Sequence, residues 1–231
     1  MDVSEIRKTA ELEDRHWWFR ERRHLLAAEL ERVGGPGRAI DVGAAGGGNT
    51  RVLRDHGWSA TAIEYSQEGA ALAWERSLFS VRGDATALPL ASGSIDLAVA
   101  FDVLEHIEDD KTAVAEIARV LRRGGTFLVS VPCDMRLWGA HDVACSHFRR
   151  YTRETLQQVV EGAGFQIEAL SSWNVLLRPV VRLRRRRSEG SDTQDSGALL
   201  NFGLSAVIRA ERYLPVKKLP GVSLMLRASR L

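Results

Sequence analysis

Between Trp138 and Thr152 the chain gathers two imidazoles, a carboxylate, a phenol and two guanidiniums: His141, Asp142, His147, Arg149, Arg150 and Tyr151. An imidazole beside a carboxylate suits general-base work on a hydroxyl, with the acid fixing the tautomer. His147 or His141 could be that base, and Asp142 the orienting acid. A structural reading competes. Arg149, Arg150 and Tyr151 could simply anchor the loop, and Thr152 could N-cap a helix over 153–162. His106, in Asp102-Val-Leu-Glu-His-Ile, is a lesser candidate, because a histidine at a helix start is more often structural.

A second group of residues speaks of binding. Ala39-Ile-Asp41-Val-Gly43-Ala-Ala45-Gly46-Gly47-Gly48-Asn49 runs from a short apolar stretch through an acid into glycine and alanine. That order predicts strand, tight turn, helix, with small residues where backbone approaches a ligand or takes φ > 0. The helix N-terminus would aim free N–H groups at whatever occupies the turn. Such a turn after the first strand of a doubly wound sheet is a site for a nucleotide-type cofactor. Glu64 follows some 20 residues on, at the end of a second strand, where an acid can accept ribose hydroxyls. The dinucleotide fingerprint Gly-x-Gly-x-x-Gly is matched imperfectly, because Ala45 stands at its second glycine.

The elements that must position these groups follow from periodicity. Residues from about Ser4 to Val33 read as helix. It carries Trp17-Trp18-Phe19, three aromatics that cannot all face one core, so some should reach a pocket or lid. Gly34-Gly-Pro-Gly37 breaks it. Strands are expected at 39–42, 60–64, 94–101, 126–131 and 166–170, and helices at 49–56, 67–74, 109–121 and 153–162. Gly124-Gly125 is read as a helix C-cap. The strand at 94–101 is almost continuously apolar, as befits burial on both faces. Alternating strands and helices mean a parallel sheet covered on both sides.

The 231 residues suit one large domain. No apolar h-region opens the chain, and no run reaches the roughly 18 residues of a membrane span. The expectation is a cytoplasmic protein. Cys133 and Cys145 lack metal-ligand spacing and read as free thiols, and no metal-ligating set is expected. The net charge of +2 is uneven. From Asn174 onward there are 12 Lys and Arg against 4 Asp and Glu, and before it 20 against 26. The acidic body and the lack of an Asn-Pro-Pro-Tyr-like motif argue against a nucleic-acid substrate.

Four motifs in order make the chain resemble the class I S-adenosylmethionine-dependent methyltransferases, over about residues 38–165. They are Asp41-Val-Gly-Ala-Ala-Gly-Gly, Glu64, Gly83-Asp84-Ala85 with Leu88-Pro89, and Asp102-Val-Leu-Glu-His-Ile followed by Leu-x-x-Gly-Gly. The segment with His147-Phe-Arg-Arg-Tyr151 and the N-terminal Trp18-Phe-x-x-Arg-Arg resemble a bacterial subgroup of the methyltransferase type 11/12 kind. Its members are associated with tailoring of glycans, glycolipids and secondary metabolites.

The resemblance implies a Rossmann-like α/β fold. Its seven-stranded sheet would be mostly parallel, with the last strand antiparallel and a helical insertion before it. It implies an N-terminal cap over 1–37, a cofactor-binding core over 38–173, a lid over 174–220 and a final strand over 221–231. S-adenosylmethionine would be the cofactor and S-adenosylhomocysteine the product. Gly43, Gly46 and Gly47 would pack on its methionine part, with Asp41 near its amino group. Glu64 and Tyr65 would hold the ribose side, Asp84 and Ala85 the adenine, and Asp102 the pocket wall. Ala45 is tolerated if its φ is negative. Trp17, Trp18, Arg149 and Tyr151 would bind the acceptor, and transfer to an oxygen is expected. A nicotinamide-dependent oxidoreductase and a silent cofactor-binding module are the competing functions.

The insertion has its own pattern. Residues 174–187 are apolar and then strongly basic, 188–197 read as a polar linker, and 198–214 fit a helix. Asn201, Ser205, Arg209 and Arg212 form a narrow polar stripe beside a wide apolar face of Leu200, Phe202, Leu204, Val207, Ile208 and Leu214. The plain reading packs that apolar face on the body. The sharper one makes a cap over the acceptor site that also touches an anionic membrane, with a lipid-linked acceptor entering from it.

Overall fold

The computed structural model describes residues 7, 10–185 and 197–231. The start of the helix expected from Ser4, Arg186, Arg187 and the linker residues 188–196 lie outside the described residues. In chain order the main elements are α1 (Trp17–Leu30), β1 (Arg38–Val42), α2 (Gly48–Asp55), β2 (Ser59–Glu64), α3 (Gln67–Glu75), β3 (Ser80–Arg82) and β4 (Ile95–Phe101). They continue as α4 (Asp110–Val120), β5 (Leu121–Pro132), α5 (Ala140–Ala144), α6 (Arg153–Gly162), β6 (Phe165–Trp173), α7 (Arg178–Arg185), α8 (Ala198–Glu211) and β7 (Ser223–Arg230).

The seven strands form one sheet in the order β3-β2-β1-β4-β5-β7-β6. Pairings from β3 to β5 are parallel, and β7 runs antiparallel to both β5 and β6. Side chains alternate across the pleat, so each inner strand feeds two cores. On one face Ala98, Ala100, Phe127 and Val129 pack with Val114 and Ile117 of α4 and Leu156 and Val160 of α6. On the other, Leu97, Val99, Phe101 and Leu128 pack with Leu26 and Leu30 of α1 and Leu53 of α2. Strand order reverses between β1 and β4, and the crevice beyond the carboxyl ends at such a switch point is where ligands bind.

Three local expectations change. The long N-terminal helix is interrupted, because His16 caps α1 by accepting from the Trp18 amide while Glu13 turns inward to Arg76. Gly124 and Gly125 are not a helix cap: α4 ends at Val120, and Leu121 already pairs with Ile95. Gly124 has φ +70° within β5, and a Cβ on Gly125 would lie 2.8 Å from the Arg122 carbonyl oxygen.

The third change is in α8. Its apolar face is divided: Leu204 and Ile208 pack on Trp17 and Leu177, as the plain reading has it, and the rest of the face stays exposed. Asn201 and Arg212 of the polar stripe also turn inward. Asn201 accepts from the Trp17 amide at 2.8 Å, and Arg212 meets Glu21 at 2.9 Å. Glu211, buried, accepts from the Val175 and Leu176 amides. Leu199 and Phe202 are left 86% and 71% exposed. Polar groups hold this helix down because the seam it faces is itself rich in unpaired backbone donors, which need acceptors.

Glu211 therefore fastens α8 to the segment that follows β6. Glu211→Ala should strip the acceptor from two amides and cost about 1–3 kcal/mol. Trypsin should then cut between Arg178 and Arg212 about tenfold faster than in the parent chain, ahead of any cleavage in the sheet.

Candidate active site

The site begins at the glycine turn. Gly43 leaves β1 with φ +68°, and its amide and that of Ala44 donate to the Ile63 carbonyl. A Cβ on Gly43 would lie 2.5 Å from Val103. The tolerance expected for Ala45 does not apply, because its φ is +45°. The left-handed conformation costs an alanine roughly 1–2 kcal/mol. The Ala45 amide in that pose donates to Glu64 Oε2 at 2.9 Å. Gly46 and Gly47 do not border the cavity described below. Their missing side chains make room for protein: Arg76, Ala10 and Glu13 at Gly46, and Leu78 at Gly47, whose φ is +78°.

The four acids of the binding reading occupy two environments. Asp41 is fully buried; Oδ2 accepts from the Thr50 hydroxyl at 2.7 Å, and Oδ1 has no partner. Burial pushes its carboxyl up to about 6. Asp102 closes β4 with φ +57° and is held by Arg22 at 2.8 Å. Glu64 and Asp84 lie on the open edge beyond β2 and β3. Glu64 Oε1 takes the Ser66 amide and hydroxyl, and Asp84 Oδ1 those of Thr86. Tyr65 is 69% exposed.

A cavity of about 360 Å³ opens at Gly43, Ala45 and Asp102. Trp17, Trp18 and Phe19 form one wall, with Trp18 against Trp173 at 4.3 Å between ring centres. All three aromatics are covered because α1 is wedged between the sheet and α8. Leu177 and Val181 on the α7 side and Leu200 and Leu204 of α8 close the roof. The far wall is polar: Glu105, His106, His141, His147 and Arg150.

Asp142 organises that wall. Its carboxylate is fully buried; Oδ1 meets His147 Nδ1 at 2.9 Å and Arg150 Nε at 2.8 Å, and Oδ2 accepts from the Gly139 amide. Asp142 thus fixes the His147 ring, as its spacing suggests. His141 borders the cavity, its ring 5.9 Å from His147, and contacts Cys145 Sγ. His106, on a short 3₁₀ turn after β4, stands edge-on to His147 at 4.6 Å. Burial, with His147 beside it, pulls the His106 imidazole down to about 4. Glu105 is 1% exposed with an unpartnered Oε2, and burial and Asp102 raise its carboxyl well above the usual range.

Two of the expected acceptor contacts are placed elsewhere. The Tyr151 hydroxyl donates to Asp110 at 2.6 Å inside the α4 core, which holds its phenol well above the usual range. Arg149 points outward to Asp110 and the Glu108 carbonyl. Arg150, buried and also donating to the Cys133 carbonyl, borders the cavity in their place. Consecutive residues entering a core alternate sides, so only the middle one of these three faces the cavity. Sequence reasoning gave no part to Arg22 or Asn174. Asn174, φ +58°, is buried against the cavity with both amide atoms unpartnered. Only the Arg22 spacing within Trp18-Phe-x-x-Arg-Arg could have pointed to it.

Residues 40–129 match the family model described as a methyltransferase domain, and over this stretch the chain is similar to the class I S-adenosylmethionine-dependent methyltransferases. It is 29% identical over 163 residues to a Mycolicibacterium smegmatis protein named "probable S-adenosylmethionine-dependent methyltransferase", covering 68% of this chain and 62% of that one. It is 31% identical over 144 residues to the malonyl-[acyl-carrier protein] O-methyltransferase of Enterobacter lignolyticus, covering 58% and 57%. The chain spans about three-fifths of the length of these curated relatives. A solved methyltransferase of Thermotoga maritima shares the fold with TM-score 0.65 at 17% identity, covering 99% of this chain and 96% of that one. The family's cofactor is S-adenosylmethionine.

Asp41 gives this site a pH signature. Its folded value of about 6 lies above the ordinary 3.8. The group's stability contribution is therefore fully present below about pH 4 and is lost as pH rises through about 6. Asp41→Asn removes that loss. The unfolding free energy of the variant, by chemical denaturation, should gain on the parent's by about 3 kcal/mol between pH 4 and 6.5, then run parallel to it.

Proposed function

We propose that this chain transfers a methyl group from S-adenosylmethionine to an oxygen of a small-molecule, glycan or lipid-linked acceptor. One observation carries the reading: the glycine turn after β1 and the Asp142-held His147 border the same cavity.

The residues present fit the cofactor. Asp41 Oδ1, buried and without a donor, suits an ammonium group. Gly43 keeps the backbone bare where the cavity meets the turn. Each carboxylate oxygen of Glu64 and Asp84 has capacity for further donors, which suits ribose hydroxyls and an adenine amino group. Ala85 lies beside Asp84, Tyr65 beside Glu64, and Asp102 stands at the cavity mouth. When bound, the cofactor supplies an electrophilic methyl group on a sulfonium.

The chain's own groups do the rest. His147, with Nδ1 engaged by Asp142, has Nε2 left to meet an acceptor hydroxyl. Trp17, Trp18 and the leucines of the roof exclude water and take an apolar body, while Asn174 and Arg150 offer polar contacts. The turn lacks the second glycine of the dinucleotide fingerprint, which tells against the oxidoreductase alternative.

Calorimetry with S-adenosylhomocysteine is expected to show one site per chain, with no comparable binding of NAD. Glu64→Ala and Asp84→Ala should each weaken it by about 1–3 kcal/mol. His147→Ala should slow transfer by about 10²–10⁴-fold with cofactor affinity kept, and His141→Ala should slow it less. Unchanged affinity in both acid variants contradicts the cofactor placement.

The acceptor's route is part of the proposal. No helix among the described residues is long and apolar enough to cross a membrane. Leu183 is exposed between the exposed Arg182 and Arg184, and Leu199 and Phe202 are exposed on α8. Such a surface suits the headgroup region of an anionic bilayer, where each cation adds about 1 kcal/mol. The chain should co-sediment with anionic vesicles at low salt, less at physiological salt, and not with neutral ones. Recovery in the supernatant under all three conditions would leave the roof as a lid only.

A further inference from the structure

Glu105, His106 and His147 come from two separate turns yet offer a carboxylate oxygen and two imidazole nitrogens within 4.8 Å of one another. Spacing along the sequence suggested no metal set, because His147 lies 41 residues beyond His106. We propose that these three side chains bind a first-row divalent cation, of the zinc or manganese class, at the polar end of the cavity.

Four observations converge on it. Glu105 Oε2 is buried and has no hydrogen-bond partner, an expensive condition for a carboxylate unless something positive occupies the space before it. The His147 imidazole has one nitrogen already engaged by an acceptor, Nδ1 at 2.9 Å from Asp142, and the His106 ring packs edge-on against it at 4.6 Å. Metal-bound histidines are held as His147 is, with the outer acceptor fixing ring orientation and leaving the other nitrogen for the ion. Asp142 is itself held by Arg150 and the Gly139 amide, so the outer layer is rigid. Finally, all three residues border the cavity.

Two imidazoles with one carboxylate suit zinc, manganese or iron(II) better than magnesium or calcium, which take all-oxygen sets. Ligand atoms at about 2.0–2.2 Å from an ion stand about 3–3.5 Å apart, so the set must close by up to about 1.5 Å. Long Glu105 and the two rings can do this by small rotations. The unfilled positions face the cavity, where an acceptor oxygen can complete the coordination. A bound cation lowers the pKa of a coordinated water or hydroxyl. That role for the ion, with His147 Nε2 as ligand in place of direct contact with the acceptor, rests on the methyl-transfer reading. Ion binding itself does not.

The test uses the full chain, stripped with chelator and titrated separately with zinc, manganese and magnesium chlorides by calorimetry. The expected result is one zinc or manganese ion per chain and weaker magnesium. Glu105→Gln and His106→Ala should each weaken the ion by more than about tenfold, and His141→Ala should leave it unchanged. Affinity that survives both ligand variants, or no ion bound at all, overturns the proposal. Should a ligand variant fail to fold, zinc-edge X-ray absorption of the loaded parent chain decides. Two imidazoles and an oxygen are expected, and a sulfur-containing or all-oxygen shell overturns it. S-adenosylhomocysteine affinity is measured on the same stripped samples. If it is intact and no ion binds, only this inference fails; if it is absent, the methyl-transfer reading fails.

Discussion

A fully buried carboxylate fixes the geometry of this molecule's polar wall. Asp142 has no water to solvate it, so its charge must be met by donors on all sides. Arg150 supplies the opposite charge and is itself anchored to the Cys133 carbonyl just beyond β5. His147 and the Gly139 amide meet it as well, and Arg185 of α7 stands 3.4 Å from Oδ2. Removing Arg150 would leave a buried charge short of compensation, so these contacts restrain the loop from Gly139 to Arg150. The His147 ring inherits that restraint.

A second ion pair joins the two halves of the site. Arg22 on α1 reaches Asp102 at the end of β4, packing over Phe19 on the way, 5.3 Å from its ring centre. Glu13 and Arg76 do the same at the glycine turn, where Arg76 also donates to the carbonyls of Gly46 and Ala10. The N-terminal segment is thereby tied to the sheet edge that carries the glycine turn, Glu64 and Asp102. The site is uneven: Glu105, Asp142 and Arg150 are buried, whereas Asp84 is exposed. An enclosed half favours excluding water from a reactive group, and an open half favours exchange of a small soluble ligand.

Much of this was legible in the sequence, for reasons that differ by residue. The sheet was readable because 95–101 and 126–131 are apolar runs bounded by turn residues, and burial on both faces demands that pattern. Thr152 was readable as a cap because an N-cap hydroxyl works through its immediate neighbours. A partnership of Asp142 with His141 or His147 was readable because all three share one short loop, and the structure gives it to His147. What failed was whatever depended on side-chain direction or distant contacts. Tyr151 and Arg149 share a loop with Arg150 but point away from the cavity. Ala45 took a positive φ that its type disfavours, and α8 turned Asn201, Glu211 and Arg212 inward to meet Trp17, the amides after β6 and Glu21. Glu105 and His147 meet through the sheet order, which no local spacing encodes.

If the glycine turn and the His147 wall serve one reaction in one cavity, a crystal structure of the chain with S-adenosylhomocysteine will show it. The thioether sulfur is expected between Gly43 and Asp102, turned towards His147, with the amino group over Asp41 and the adenosine along Glu64 and Asp84. A sulfur directed to solvent, or a ligand seated away from the glycine turn, would contradict it.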